Sequence, residues 1–155
     1  MTDKNVSIMN IGSMGYLPQV FKKIENEKKL NIVYLGGSIT MGCNATKTEL
    51  RYVDRSAKWW QTNFPDAEIS YFNAGIGATT SQFGVARVQE HVLDKQPDLV
   101  FVEFSVNDSS SPLFMETYES LVRRLLKAES VKAVVLINNL FYDTGTNAQG
   151  IHNAI

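Results

Sequence analysis

Four short apolar runs punctuate the chain: "NIVYLGG" at 31–37, "AEISYFNAG" at 67–75, "DLVFVEFSV" at 98–106 and "VKAVVLINN" at 131–139. Each is rich in Val, Ile, Tyr or Phe and nearly continuous rather than alternating, the pattern of parallel strands covered on both faces. Between them, apolar positions recur at helical spacing. Pro18 stands in the first turn of a helix that turns Phe21 and Ile24 inward. Thr46 and Glu49 have the spacing of a capping box, after which Val53, Ala57, Trp60 and Phe64 mark one helix face and Pro65 closes it. Val85, Val88 and Val92 mark a helix over about 80–93. Over 114–128, Tyr118, Leu121, Val122, Leu125 and Leu126 form an apolar stripe opposite Glu119, Arg123, Arg124 and Lys127.

Strand and helix thus alternate, which is the signature of βαβ units. Their right-handed crossovers give a parallel sheet with helices on both faces. With 155 residues, one such domain is expected over 1–155. In a sheet of this kind, functional groups gather just beyond the carboxyl ends of the strands.

Composition changes this picture little and excludes some partners. Hydrophobic residues make up 44% and charged residues 20%, so a packed core is expected rather than disorder. The net charge is −1, from 15 basic and 16 acidic residues with no block of either sign, which argues against a nucleic-acid or membrane-surface partner. The lone Cys43 cannot form an internal disulfide and is expected to be inert. The polar start "MTDKNVSIMN" carries no apolar leader region, and the expected location is cytoplasmic.

The candidate chemistry lies at three strand ends. After the first run come Gly36, Gly37, Ser38, Ile39 and Thr40; after the second, "NAGIGATTS" from Asn73 to Ser81; after the third, "SVND" from Ser105 to Asp108. A serine hydroxyl becomes a nucleophile when a turn presents it to a base. A tetrahedral oxyanion needs fixed donors, which backbone N–H groups of a small-residue loop and the Asn107 carboxamide can supply. Taken singly, Gly-Gly-Ser is an ordinary turn, Asn-Asp a turn or helix cap, and "GIGATT" a helix start. Their coincidence at successive strand ends is the stronger signal.

The ordered set "GGSIT", "NAGIGATTSQFGVAR" and "VEFSVND" resembles the SGNH, or GDSL-like, hydrolases, over about 32–140. The Gly-Gly-Ser-Ile-Thr form is most similar to bacterial branches that include carbohydrate acetylesterases. The resemblance implies a three-layer α/β sandwich of the flavodoxin-like kind and an ester hydrolase of short acyl groups, working without cofactor or metal on a small-molecule or carbohydrate ester. It makes Ser38 the nucleophile and its own N–H an oxyanion donor. Ala78, with Gly77 just before it, falls where the family usually has its oxyanion-hole glycine. Asn107 is the remaining donor, with Gly37, Asn73 and Asp108 in substrate binding.

Two departures qualify it. Gly37 replaces the more common aspartate before the serine, and the family's Asp-x-x-His block, which supplies the general base, has no counterpart. His91 falls beside the apolar stripe of its helix and reads as a boundary residue; Asp143 and His152 have the wrong spacing for the motif. The sequence therefore reads as a domain lacking its last strand and helix, whose fourth strand would leave an apolar edge open to self-association. Rival readings are a catalytically incomplete assembly piece and a nucleotide-binding module. Against the latter, "GIGATT" lacks a third glycine and "LGGSITMG" a P-loop lysine. An α/β-hydrolase elbow is disfavoured by the missing second glycine of G-x-S-x-G. Trp59 and Trp60 read as packing residues, Glu103 as an oddity hydrogen-bonded near the sheet end, and Asn138, Tyr142 and Asp143 as possible pocket residues.

Overall fold

The computed structural model describes residues 8, 10–139, 152 and 155. The positions of Tyr142 and Asp143 lie outside these. Helix α1 (Leu17–Glu27) leads into β1 (Lys29–Gly36), the single turn α2 (Ser38–Met41), α3 (Tyr52–Asn63), β2 (Glu68–Gly75), α4 (Ser81–His91), β3 (Leu99–Glu103), α5 (Pro112–Leu126) and β4 (Ala133–Leu136). The four strands form one parallel sheet in the order β2-β1-β3-β4, so the chain reverses direction across the sheet between β1 and β3. That reversal opens a crevice at the carboxyl ends of β1 and β3.

The expected α/β architecture is thus present, with a core on each face of the sheet. One joins Val33, Leu35, Val100 and Val102 to α4 and α5 through Val88, Val92, Tyr118 and Leu121. The other joins Ile32, Tyr34 and Leu99 to α1 and α3 through Val20, Ile24, Val53 and Trp60. Gly84 lets α4 settle on the first core, since a Cβ there would stand 2.9 Å from the Phe104 ring.

Three local expectations are corrected. The Thr46–Glu49 box is not used: a 3₁₀ turn spans Thr48–Leu50 and α3 begins after Arg51, whose guanidinium grips Asp54 in the first turn at 2.6 and 3.1 Å. Strand β2 is not covered on both faces, because it is an edge strand on which Tyr71 and Phe72 remain exposed. Leu126 stands at the end of the α5 stripe but is 40% exposed, whereas Tyr118, Leu121, Val122 and Leu125 are buried. Trp59 is exposed and Trp60 buried, as a helix-surface and core pair would be.

Candidate active site

Three loops meet at the carboxyl edge because glycines let them touch. A Cβ on Gly36 would overlap Thr40 Oγ1 and stand 2.6 Å from the Glu103 carbonyl oxygen. One on Gly75 would overlap the Met41 amide nitrogen, so α2 rests directly on the end of β2. One on Gly37 would stand 2.8 Å from Asn107 Nδ2 and 3.4 Å from the Thr79 oxygen. The aspartate more common before the serine would therefore displace Asn107, and glycine is the residue this packing accepts.

Ser38 opens α2, half-buried, directly after that glycine. Its carbonyl accepts the Gly42 and Cys43 N–H groups at 3.0 and 2.9 Å, which closes the turn tightly. The preceding Gly37 N–H donates to the Glu103 carbonyl at 3.2 Å, tying the turn to β3. Among the described residues nothing is hydrogen-bonded to Ser38 Oγ, and neither the Ser38 nor the Ala78 N–H donates to another backbone or side-chain group. Both amides are thus unspent donors at the edge.

Ala78 follows Gly77 in a turn and holds φ 57°, a left-handed conformation that costs a residue with a Cβ on the order of 1 kcal/mol. This is the backbone a glycine adopts freely. Asn107 donates one Nδ2 hydrogen to the Thr79 carbonyl at 2.7 Å, which fixes the plane of its amide and leaves the second hydrogen available.

Two residues expected in substrate binding are hydrogen-bonded within the fold. Asn73 donates through Nδ2 to the Thr40 carbonyl at 2.8 Å and accepts the Gly75 N–H at 2.9 Å, so both its polar atoms serve the loops. Asp108 is fully buried: Oδ1 accepts the Ser81 N–H at the start of α4 at 2.9 Å, and Oδ2 pairs with His152 Nε2 at 3.0 Å. His152 is itself buried and stacks on Tyr118, with ring centroids 3.7 Å apart. His91 accepts from Arg87 at Nδ1, 3.3 Å away.

Glu103, expected to be hydrogen-bonded near the sheet end, is the centre of the layer beneath. Glu103, 1% exposed, lies under the turn; the Thr40 hydroxyl approaches its Oε2 at 3.4 Å and contacts the Tyr52 hydroxyl at 2.9 Å. Burial holds the Glu103 carboxyl above the usual carboxylate range and pushes the Tyr52 phenol up as well. Arg87 is also buried, and the second block assigns it no role. Its signal was its register: it lies three residues after Gly84 and next to Val88, on the packed side of α4.

Among the described residues no three His, Cys, Asp or Glu side chains are grouped as a metal site, and no helix is long and apolar enough to cross a membrane. A cavity of about 480 Å³ runs along β4, lined by Ile8, Ile11, Leu17, Val122, Leu126 and Leu136 among others, and none of Ser38, Ala78 or Asn107 borders it.

Comparison with known proteins places this geometry. Over 96% of the chain, the structure superposes with a TM-score of 0.92 and 48% identity on a two-domain esterase active on acetylated mannans. The chain spans 40% of the length of that protein. An acetylxylan esterase from Geobacillus stearothermophilus and the SGNH-hydrolase family esterase AlinE4 share the fold at 23% identity, with TM-scores of 0.60 and 0.59, each over 72% of this chain and 60% of the other. No curated protein matches. The family model described as GDSL-like Lipase/Acylhydrolase matches residues 34–153, a span that takes in all three loops, and the chain belongs to that family.

Proposed function

We propose that the protein is a serine ester hydrolase that removes short acyl groups, acetyl foremost, from a carbohydrate. The observation that carries this reading is the meeting of an unengaged Ser38 hydroxyl with three unspent donors: the N–H groups of Ser38 and Ala78 and the second Nδ2 hydrogen of Asn107. Ser38 Oγ attacks the ester carbonyl, and the carbonyl oxygen takes the negative charge among those donors, where fixed dipoles are worth most. Collapse expels the alcohol and leaves an acyl-serine, which water then hydrolyses to the free acid. Neither His91 nor His152 is hydrogen-bonded to Ser38 Oγ, so the reading assigns the Ser38 proton to a base outside the described residues. The carbohydrate alcohol rests on the 48% identical relative, which acts on acetylated mannans.

The test is hydrolysis of p-nitrophenyl acetate together with intact-mass detection of a fluorophosphonate adduct. Ser38→Ala is expected to lower hydrolysis on the order of 10³-fold or more and to abolish the adduct. An unchanged rate would sink the assignment of Ser38. Acetate release from acetylated mannan, set against acetylated xylan, then addresses the alcohol.

A further inference from the structure

Arg87 is the one arginine buried among the described residues, and none of their carboxylates lies within ion-pair distance of it. A buried cation without a counter-charge is costly unless other groups satisfy it. Here two backbone carbonyls take the Nη groups, while Nε has no partner among the described residues. Nη1 donates to the Ala74 oxygen at 2.7 Å and Nη2 to the Gly36 oxygen at 3.1 Å. Gly36 is the last residue of β1, two before Ser38; Ala74 lies four before Ala78. The Gly36 oxygen also accepts the Ile76 N–H at 3.1 Å, so one carbonyl ties together the nucleophile strand, the second loop and the guanidinium. The ring of Phe83 lies 5.7 Å from the guanidinium carbon and His91 Nδ1 takes a third hydrogen bond, shielding the group from water.

We infer that Arg87 is a positioning residue for ester hydrolysis: it clamps the ends of β1 and β2 so that the Ser38 and Ala78 N–H groups keep a common focus, and it places a fixed positive charge behind them. This rests on the reading of Ser38 given above. The fork geometry matters because only guanidinium reaches two carbonyls at once in a fixed plane. The charge matters because the reaction develops an anion in front of these loops, where low dielectric magnifies a nearby cation. Burial pushes the guanidinium pKa down to about 10, and it remains a cation at neutral pH.

Two variants separate the contributions. Arg87→Met keeps an unbranched apolar stem and removes charge and fork; Arg87→Lys keeps stem and charge without the fork. With p-nitrophenyl acetate, Arg87→Met is expected to lower kcat at least 10-fold with KM within twofold, and Arg87→Lys to recover part of the loss. If the methionine variant does not fold, the lysine variant is expected to fall 3- to 10-fold on its own. A kcat within twofold of wild type for either folded variant overturns the inference. Amide hydrogen exchange gives a readout free of activity: in Arg87→Lys the N–H groups of Ser38, Ile76 and Ala78 should exchange faster while those of α5 do not change. Exchange that is unaltered at the loops, or faster everywhere alike, overturns the clamp. A wild-type protein that exchanges as expected but forms no Ser38 adduct refutes the ester reading and leaves the clamp standing.

Discussion

The carboxyl ends of β1, β2 and β3 and the outer flank of β4 are built to opposite tolerances. At the strand ends, Gly36, Gly37 and Gly75 leave no room for a methyl group, and Asn73 and Asn107 tie the loops together through hydrogen bonds. Along β4, a cavity of about 480 Å³ is lined largely by aliphatic side chains, together with the polar Asn10, Ser13, Asn138 and His152. Under the proposed function, chemistry depends on tenths of an ångström at donors and nucleophile, and the first region is specified atom by atom. The second needs only apolar character, which many side chains supply equally well.

Substitutions should expose that contrast. Gly75→Ala puts a Cβ onto the backbone of Met41 and Thr40, which cannot rotate away, and should cost about 3 kcal/mol, read as a lower urea midpoint at unchanged slope. Glu103→Gln addresses the layer beneath the turn. In the unfolded chain this carboxyl ionises near 4.5, whereas burial raises its value in the fold. Between the two, the folded protein holds the extra proton, so Glu103 supports stability below the unfolded value and that support is lost as pH rises through the folded one. Glutamine has no such proton, and its urea midpoint should fall less than that of wild type as pH rises from 4 to 8; parallel curves would remove the shift. Ala78→Gly relieves the left-handed Cβ and should add about 1 kcal/mol; a loss would mean that the methyl group packs usefully. Smallest of all, Leu126→Lys on the β4 flank should change stability by no more than about 0.5 kcal/mol. A larger loss would show that this flank is as exacting as the loops.

The strands were legible because an apolar run must be buried wherever it lies, and the three loops because small and polar residues follow each run abruptly. What escaped was decided by a competing local pair or by partners distant in sequence. The start of α3 is set by Arg51 and Asp54, a local pair that outcompeted the Thr46–Glu49 pattern. Whether Tyr71 and Phe72 are covered depends on the order of strands, which puts β2 at the margin. The sequence pointed to Ser38, Ala78 and Asn107 by position, but the inward turn of Asp108 depends on His152, 44 residues on. Arg87 reads as one more helix arginine until two strand carbonyls are seen in front of it.

The tether from Asn107 to the Thr79 carbonyl has a consequence for recognition. A free carboxamide would lose rotational freedom on meeting an oxyanion, and the complex would bear that loss. With one hydrogen already engaged, the amide is ordered before any ligand arrives. Under the proposed function, planar esters and tetrahedral adducts meet the same rigid donor, and only the adduct carries the charge that rewards it. Boronic acids that form such adducts should accordingly bind far more tightly than ester-like amides of the same size.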